Sequence, residues 1–241
     1  MEGARNNLPD ADSMRAAQAI EHLTRRLGKD DLLTVLVSGG GSALLPSPTP
    51  PLTLQDVHAV TQVLGSKGST IRELNTVRKH LSRLQSGGLA RLAHPAQVVS
   101  LILSDIVGNQ LDMIASGPTL MDDSTPQDCL DIIDRLGASE AVPRLVLDFL
   151  NGRATEATTV ASGEATGKSD HVLTVCVGNN QMAAEAARGC AEAMGFEAAL
   201  VSTQLAGKSH QVAAMFVELA SNVYRQYKAR LQSSAGLGSD S

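Results

Sequence analysis

A chain of 241 residues with 43% hydrophobic residues can bury one large core or two small ones, which excludes an intrinsically disordered protein. A net charge of −5 removes the basic surface that nucleic acid or an anionic membrane would need, and 2% aromatic content with no Trp leaves few rings on which bases could stack. With so few rings, the core must be built from Ala, Val, Leu and Ile, which suits helices packed on a parallel sheet.

The elements follow in chain order. Residues 12–27 read as a helix with Asp12 as cap and Gly28 as stop. Residues 32–37 are a short apolar strand, followed by Ser38-Gly39-Gly40-Gly41-Ser42 and a proline-rich connection through Pro46, Pro48, Pro50 and Pro51. Thr53 caps a second helix. Thr70 and Glu73 have the spacing of a capping box that opens a third, predicted to run to Leu84. Its polar side carries Arg72, Asn75, Arg78, Lys79 and Arg83, and the expectation for such a face is solvent. Gly87-Gly88 ends it, and a short helix precedes Pro95.

Residues 97–103 form a second core strand, and 104–125 a long loop rich in Gly, Asp and Ser. Pro126 starts a helix to Leu136, and 142–150 make another. Residues 152–168 read as a polar excursion, and 171–177 as a third strand leading through Gly178-Asn179-Asn180 into an Ala-rich helix. A fourth strand is predicted at 197–202 and a last helix at 209–231, with 232–241 as a disordered tail. Strands alternating with helices predict an α/β fold: a doubly wound, mostly parallel sheet with helices on both faces, a Rossmann-like three-layer sandwich.

Cys129, Cys176 and Cys190 form neither a disulfide framework nor a zinc pattern; Cys176 and Cys190 are expected to be buried thiols in a reducing compartment. No apolar run reaches a membrane span, and the first dozen residues are no secretory or transit signal, so a cytoplasmic location is expected.

Chemistry concentrates at the strand ends. Three consecutive glycines permit positive φ and close approach of a ligand to the main chain, whose N–H groups can converge on an anion beside the Ser38 and Ser42 hydroxyls. The run matches neither the dinucleotide fingerprint nor the Lys-Ser/Thr phosphate loop, which argues against a nicotinamide-dependent dehydrogenase. Asp105 lies just past the second strand, placed to accept a proton or hold magnesium. Cations of the third helix could hold an anionic substrate. Asn179, opening a helix, could offer its amide to a ligand or cap the helix. Asp122-Asp123 reads as a structural turn, and no nucleophile–His–acid set is apparent.

In combination and order, the segments 38–46, 73–90, 101–119 and 177–187 resemble the glycerate 2-kinases that carry a MOFRL domain. The resemblance covers residues 6 to about 204. It implies phosphoryl transfer from ATP to the 2-hydroxyl of D-glycerate, with magnesium. Asp105 would be a catalytic-site aspartate and possible metal ligand, Lys79 part of the basic helix motif, and Ser38, Gly39, Gly40, Gly41, Ser42 and Asn179 substrate or phosphate contacts. Members of that family are longer. They begin with a segment that carries a catalytic lysine and end with the MOFRL domain, in longer forms with room for a mitochondrial address. This chain is therefore expected to be a partial first domain over 1–231, truncated or alternatively spliced, and the competing reading is a non-catalytic nucleotide- or partner-binding module.

Overall fold

The computed structural model describes residues 8–121, 123–160 and 170–235, with side chains at 157–160 and 230–235 left aside. Two compact units divide the chain, 1–200 and 201–241. The second holds one long helix, α8 (Ser209–Ala235), whose Phe216, Leu219, Val223 and Tyr227 are exposed. No helix among the described residues is long and apolar enough to cross a membrane.

The first unit is the α/β domain that the alternation predicts. Three parallel strands, β1 (Leu32–Val37), β2 (Gln97–Leu103) and β3 (Val172–Gly178), lie in the order β1-β2-β3. Register places Leu33, Val35 and Val37 beside Val98, Ser100 and Ile102 on one face. That face is covered: Val37 and Ile102 pack on Ile114 and Ala115, while Leu33 and Val35 meet Ala17, Leu84 and Leu89. The opposite face carries Leu32, Leu36, Leu103, Leu173, Val175 and Val177, and these stand exposed, Leu36 at 78%. Among the described residues of the first unit, nothing packs on this face as the third layer that a continuous apolar strand such as Leu32–Val37 leads one to expect.

Four helices begin with reciprocal caps. In α1 (Ala11–Thr24) the cap is Asp10 with Ser13, two residues before the Asp12 expected. In α2 (Leu54–Ser66) it is Thr53 with Asp56, in α3 (Ile71–His80) Thr70 with Glu73, and in α5 (Pro126–Arg135) Thr125 with Asp128. The largest core is helical rather than sheet-backed. Val57, Val60 and Leu64 of α2, Val77 of α3, Leu81, Cys129 and Ile133 of α5, and Val146 and Leu150 of α6 (Arg144–Val160) form it. Residues 152–160, expected to be an excursion, continue α6; 161–169 lie outside the described residues.

Helix α3 stops at His80 instead of Leu84 because the proline-rich segment competes for its continuation. The Thr49 N–H donates to the Leu81 carbonyl at 2.8 Å and the Arg83 N–H to that of Ser47 at 2.7 Å. Between these bonds Ser82 forms an isolated antiparallel bridge with Pro48. The chain then turns through Gly87 into α4 (Gly88–Ala93), where a Cβ on Gly88 would lie 2.0 Å from the Arg83 carbonyl oxygen.

Beyond β3, α7 (Asn180–Ala193) buries none of its residues, and Cys190 on it is exposed rather than buried; Cys176 is half-buried. Residues 197–202 form no strand. The predicted tail is helical as far as Ala235, and 236–241 lie outside the described residues.

The α3 cap sets a pH dependence. The Thr70 backbone N–H and hydroxyl both donate to the Glu73 carboxylate, partial desolvation opposes them, and Arg135 adds an ion pair, so the pKa lies below the ordinary 4.5. A depressed carboxylate stabilises the fold above its unfolded pKa and loses that contribution as pH falls through the folded value. Glu73→Gln should lower the urea midpoint at pH 7, and the gap to the parent chain should shrink as pH falls below about 4.5.

Candidate functional site

Because β1 and β2 are parallel neighbours, the loops leaving their C-terminal ends emerge side by side. There the glycine run meets Asp105. The Gly39 backbone lies so close to the carboxylate that a Cβ would sit 1.7 Å from Asp105 Oδ2. Gly40 then turns through the left-handed region, φ 80°, into a short 3₁₀ turn, Gly41–Ala43.

A second 3₁₀ segment, Leu111–Ser116, folds onto the first. The Ser116 hydroxyl donates to Ser42 Oγ at 2.9 Å. Ala115 and Ser116 have φ of 50° and 61° without being glycine. Such residues cost on the order of 1–3 kcal/mol each and persist only where the surroundings hold them. The holding bonds run to the turn around Gly87: the Ser86 N–H donates to the Ser116 carbonyl at 2.9 Å, Gly87 N–H to Gly117 at 2.7 Å, and Leu89 N–H to Pro118 at 3.0 Å. The Gly87-Gly88 turn is thus a brace for the site rather than a mere helix stop.

Helix α3 stands as a wall between two pockets. Ile71, Asn75 and Arg78 line one side of it, with Gly39, Gly40, Ser42, Asp105 and Met113, around a volume of about 300 Å³. Arg72, Thr76 and Lys79 line the other side, with Asp112, Asp123 and Ser124, around about 310 Å³. Met113 borders both. The spacing i, i+4, i+7 repeats on each side, one residue out of phase, so each pocket receives one cation from the last turn of the helix.

These cations are not on a solvated face. Arg78 is 8% exposed and Lys79 3%. Burial pulls the Arg78 guanidinium pKa down from its usual value. Lys79 Nζ lies 4.0 Å from Asp112 Oδ2. The helix turns this side inward because Val77 on one flank and Leu81 beyond it are locked into the helical core.

The expected site residues divide. Gly39, Gly40, Ser42 and Asp105 come together in the first pocket, with Gly41 packed behind them on Ala115. Lys79 belongs to the second pocket and does not share a cavity with Asp105. Ser38 is exposed and lines neither. Asn179 caps α7, its Oδ1 accepting from the Met182 N–H at 2.8 Å, and its amide nitrogen faces Cys176 Sγ at 3.8 Å; it lies outside both pockets. Asn75, Asp112 and Asp123 were not anticipated, and Asp123 lines a pocket rather than a mere turn. The out-of-phase spacing on α3 was visible in the sequence; the pairing of 111–116 with the glycine loop was not. Among the described residues, no three His, Cys, Asp or Glu side chains converge as a metal cage.

Residues 1–151 match the family described as "Domain of unknown function (DUF4147)". The chain is 49% identical over 219 residues to a glycerate kinase of Rattus norvegicus, spanning 91% of this chain and 41% of that protein. In three dimensions it is similar to the crystal structure of a glycerate kinase from Thermotoga maritima, with a TM-score of 0.66 and 34% identity, over 80% of this chain and 44% of that one. A Pyrococcus horikoshii protein matches with a TM-score of 0.67 and 34% identity, over 78% and 42%. The chain therefore spans about two-fifths of the length of these relatives.

Proposed function

Since the chain belongs to the DUF4147 family, we propose that its two pockets form the glycine-loop part of a site that transfers a phosphoryl group from ATP to the 2-hydroxyl of D-glycerate. The observation that carries this reading is the contact between the Gly39 backbone and the Asp105 carboxylate at the mouth of a pocket walled by a buried guanidinium. Phosphoryl transfer asks the protein mainly to position two anions and to stabilise charge, and a backbone cradle flanked by two buried cations suits that task.

In this reading Asp105 faces the 2-hydroxyl and accepts its proton as the oxygen bonds to the γ-phosphorus. The bond from that phosphorus to the β,γ-bridging oxygen breaks, and ADP leaves. The backbone N–H groups of the glycine turn and the Ser42 hydroxyl donate to anionic oxygens, while Lys79 acts as a point charge on the phosphates. Magnesium, when bound, would neutralise phosphate charge. Asp112 and Asp123 fit it as hard oxygen donors in one pocket, and one or two carboxylates completed by phosphate and water are its usual set. We assign the ion to that pair in place of Asp105, which among the described residues is the one carboxylate lining its pocket. A cytoplasmic location remains part of the same proposal.

The test is ADP release from Mg-ATP by the purified chain, with and without D-glycerate. The expected result is glycerate-dependent release that falls about 10²-fold or more in Asp105→Asn. Release that Asp105→Asn leaves unchanged would remove the role assigned to Asp105. Ligand binding without release would favour the non-catalytic module.

A further inference from the structure

Arg78 is the least accounted-for charge in the domain. It is 8% exposed, yet among the described residues no carboxylate lies within ion-pair distance of it. Its hydrogen bond to the Ser42 carbonyl is 3.5 Å long, and that carbonyl already accepts from Gln85 Nε2 at 2.9 Å. A guanidinium has five N–H donors in a rigid fork, and leaving it dehydrated and unpaired is costly. Burial is the cause of its lowered pKa. One turn away, Asn75 Oδ1 is buried without a partner, and Asn75 and Arg78 line the same pocket as Asp105. An unpaired charge and an unpaired acceptor on one wall describe a site with two complementary groups missing: an anion for the fork and a donor for the amide oxygen.

We infer that Arg78 is the specificity-determining residue of the glycine-loop pocket, that its fork receives the carboxylate of the acceptor substrate, and that Asn75 accepts from one of that substrate's hydroxyls. The assignment rests on the glycerate reading and deepens it. The two pockets differ in the way it requires. The glycine-loop pocket holds one planar cation, Arg78, and one carboxylate, Asp105, that is not within ion-pair distance of it, which leaves the fork open to a single planar anion that two parallel N–H···O bonds can recognise. The neighbouring pocket mixes Arg72 and Lys79 with Asp112 and Asp123, a setting for a polyphosphate rather than for one carboxylate. Small hydroxy acids are thus selected over neutral polyols of the same size, because an uncharged ligand would leave the guanidinium as unpaired as it is without one.

Calorimetric titration of the intact chain tests this with three probes of similar shape: D-glycerate, D-glyceramide, in which an amide replaces the carboxylate, and glycerol. The parent chain should bind D-glycerate at least about tenfold more tightly than either neutral probe, the scale of a hydrogen bond to a charged group. Arg78→Lys keeps the charge but loses the fork and should weaken D-glycerate about tenfold while leaving D-glyceramide within twofold. Arg78→Met should erase the preference, with a thermal melt confirming that the variant is folded. If D-glycerate binds equally to the parent and to folded Arg78→Met or Arg78→Lys, the assignment is overturned and the glycerate reading stands. If the parent chain binds D-glycerate and D-glyceramide alike, the assignment is overturned without recourse to any variant. If the parent binds no D-glycerate, both fall together.

Discussion

Replacing Gly39 with alanine is expected to cut the proposed glycerate-dependent turnover about 10²-fold while leaving the domain folded. The added Cβ would lie 1.7 Å from Oδ2, 2.3 Å from Cγ and 2.7 Å from Oδ1 of Asp105, so either the carboxylate or the loop must move by more than an ångström. A displacement of that size at a reacting group costs about 10²-fold in rate. The carboxylate itself is exposed and has room to swing away, so the fold should survive. Gly40→Ala is the matched control. Its Cβ meets nothing within 4 Å, but its φ of 80° strains any L-residue by roughly 1–2 kcal/mol. The two variants separate crowding from conformational strain: Gly39→Ala should lose turnover with a near-normal melting temperature, and Gly40→Ala should lose stability first. ADP release and thermal melts on the same samples decide it, and normal turnover in Gly39→Ala would remove Asp105 from the reaction.

Leu81→Ala should destabilise the domain by about 2–5 kcal/mol, the range for emptying a fully buried leucine site. Leu81 is 0% exposed in the helical core and lies where α3 ends. Leu36→Ala, on the bare side of β1, should stay within about 0.5 kcal/mol of the parent chain. Urea unfolding of both measures the contrast. A large loss at Leu36 would mean that this face is covered in solution.

What the sequence made legible is mostly local. Thr53 was legible as a cap and Thr70–Glu73 as a capping box, and both proved reciprocal, because both halves of such a cap lie in one short segment; Thr125 with Asp128 has the same spacing and was not read. The strand pattern gave β1, β2 and β3 nearly to the residue. Two failures were non-local. Helix α3 ended early because Ser47 and Thr49, more than thirty positions upstream, bond the chain beyond it. Residues 197–202 have a strand composition yet pair with no strand among the described residues, and a composition cannot register pairing.

The site was legible in the same proportion. Asp105 and the glycine run could be placed together because a parallel sheet brings successive strand ends to one edge. Arg78 and Lys79 read as a solvated face because five polar residues in one stretch normally are. They are buried because loop 111–116 folds over them, held by left-handed backbone at Ala115 and Ser116 that side-chain identity does not announce. Asn179 caps α7 and sets its amide nitrogen against Cys176 Sγ, outside both pockets.

The out-of-phase faces of α3 carry an evolutionary consequence. Residues 71, 75 and 78 address one pocket and 72, 76 and 79 the other, so the angle between the two binding events is the angle between adjacent residues on a helix, about 100°. No hinge or linker separates them. Single substitutions can retune either pocket independently, whereas one inserted or deleted residue within 71–79 would swing every downstream side chain onto the wrong side and disarm both at once. Selection on this stretch should therefore tolerate spelling changes and refuse changes in length, and the Thr70–Glu73 cap, which fixes where the helix starts counting, is under the same constraint as the residues that touch a ligand.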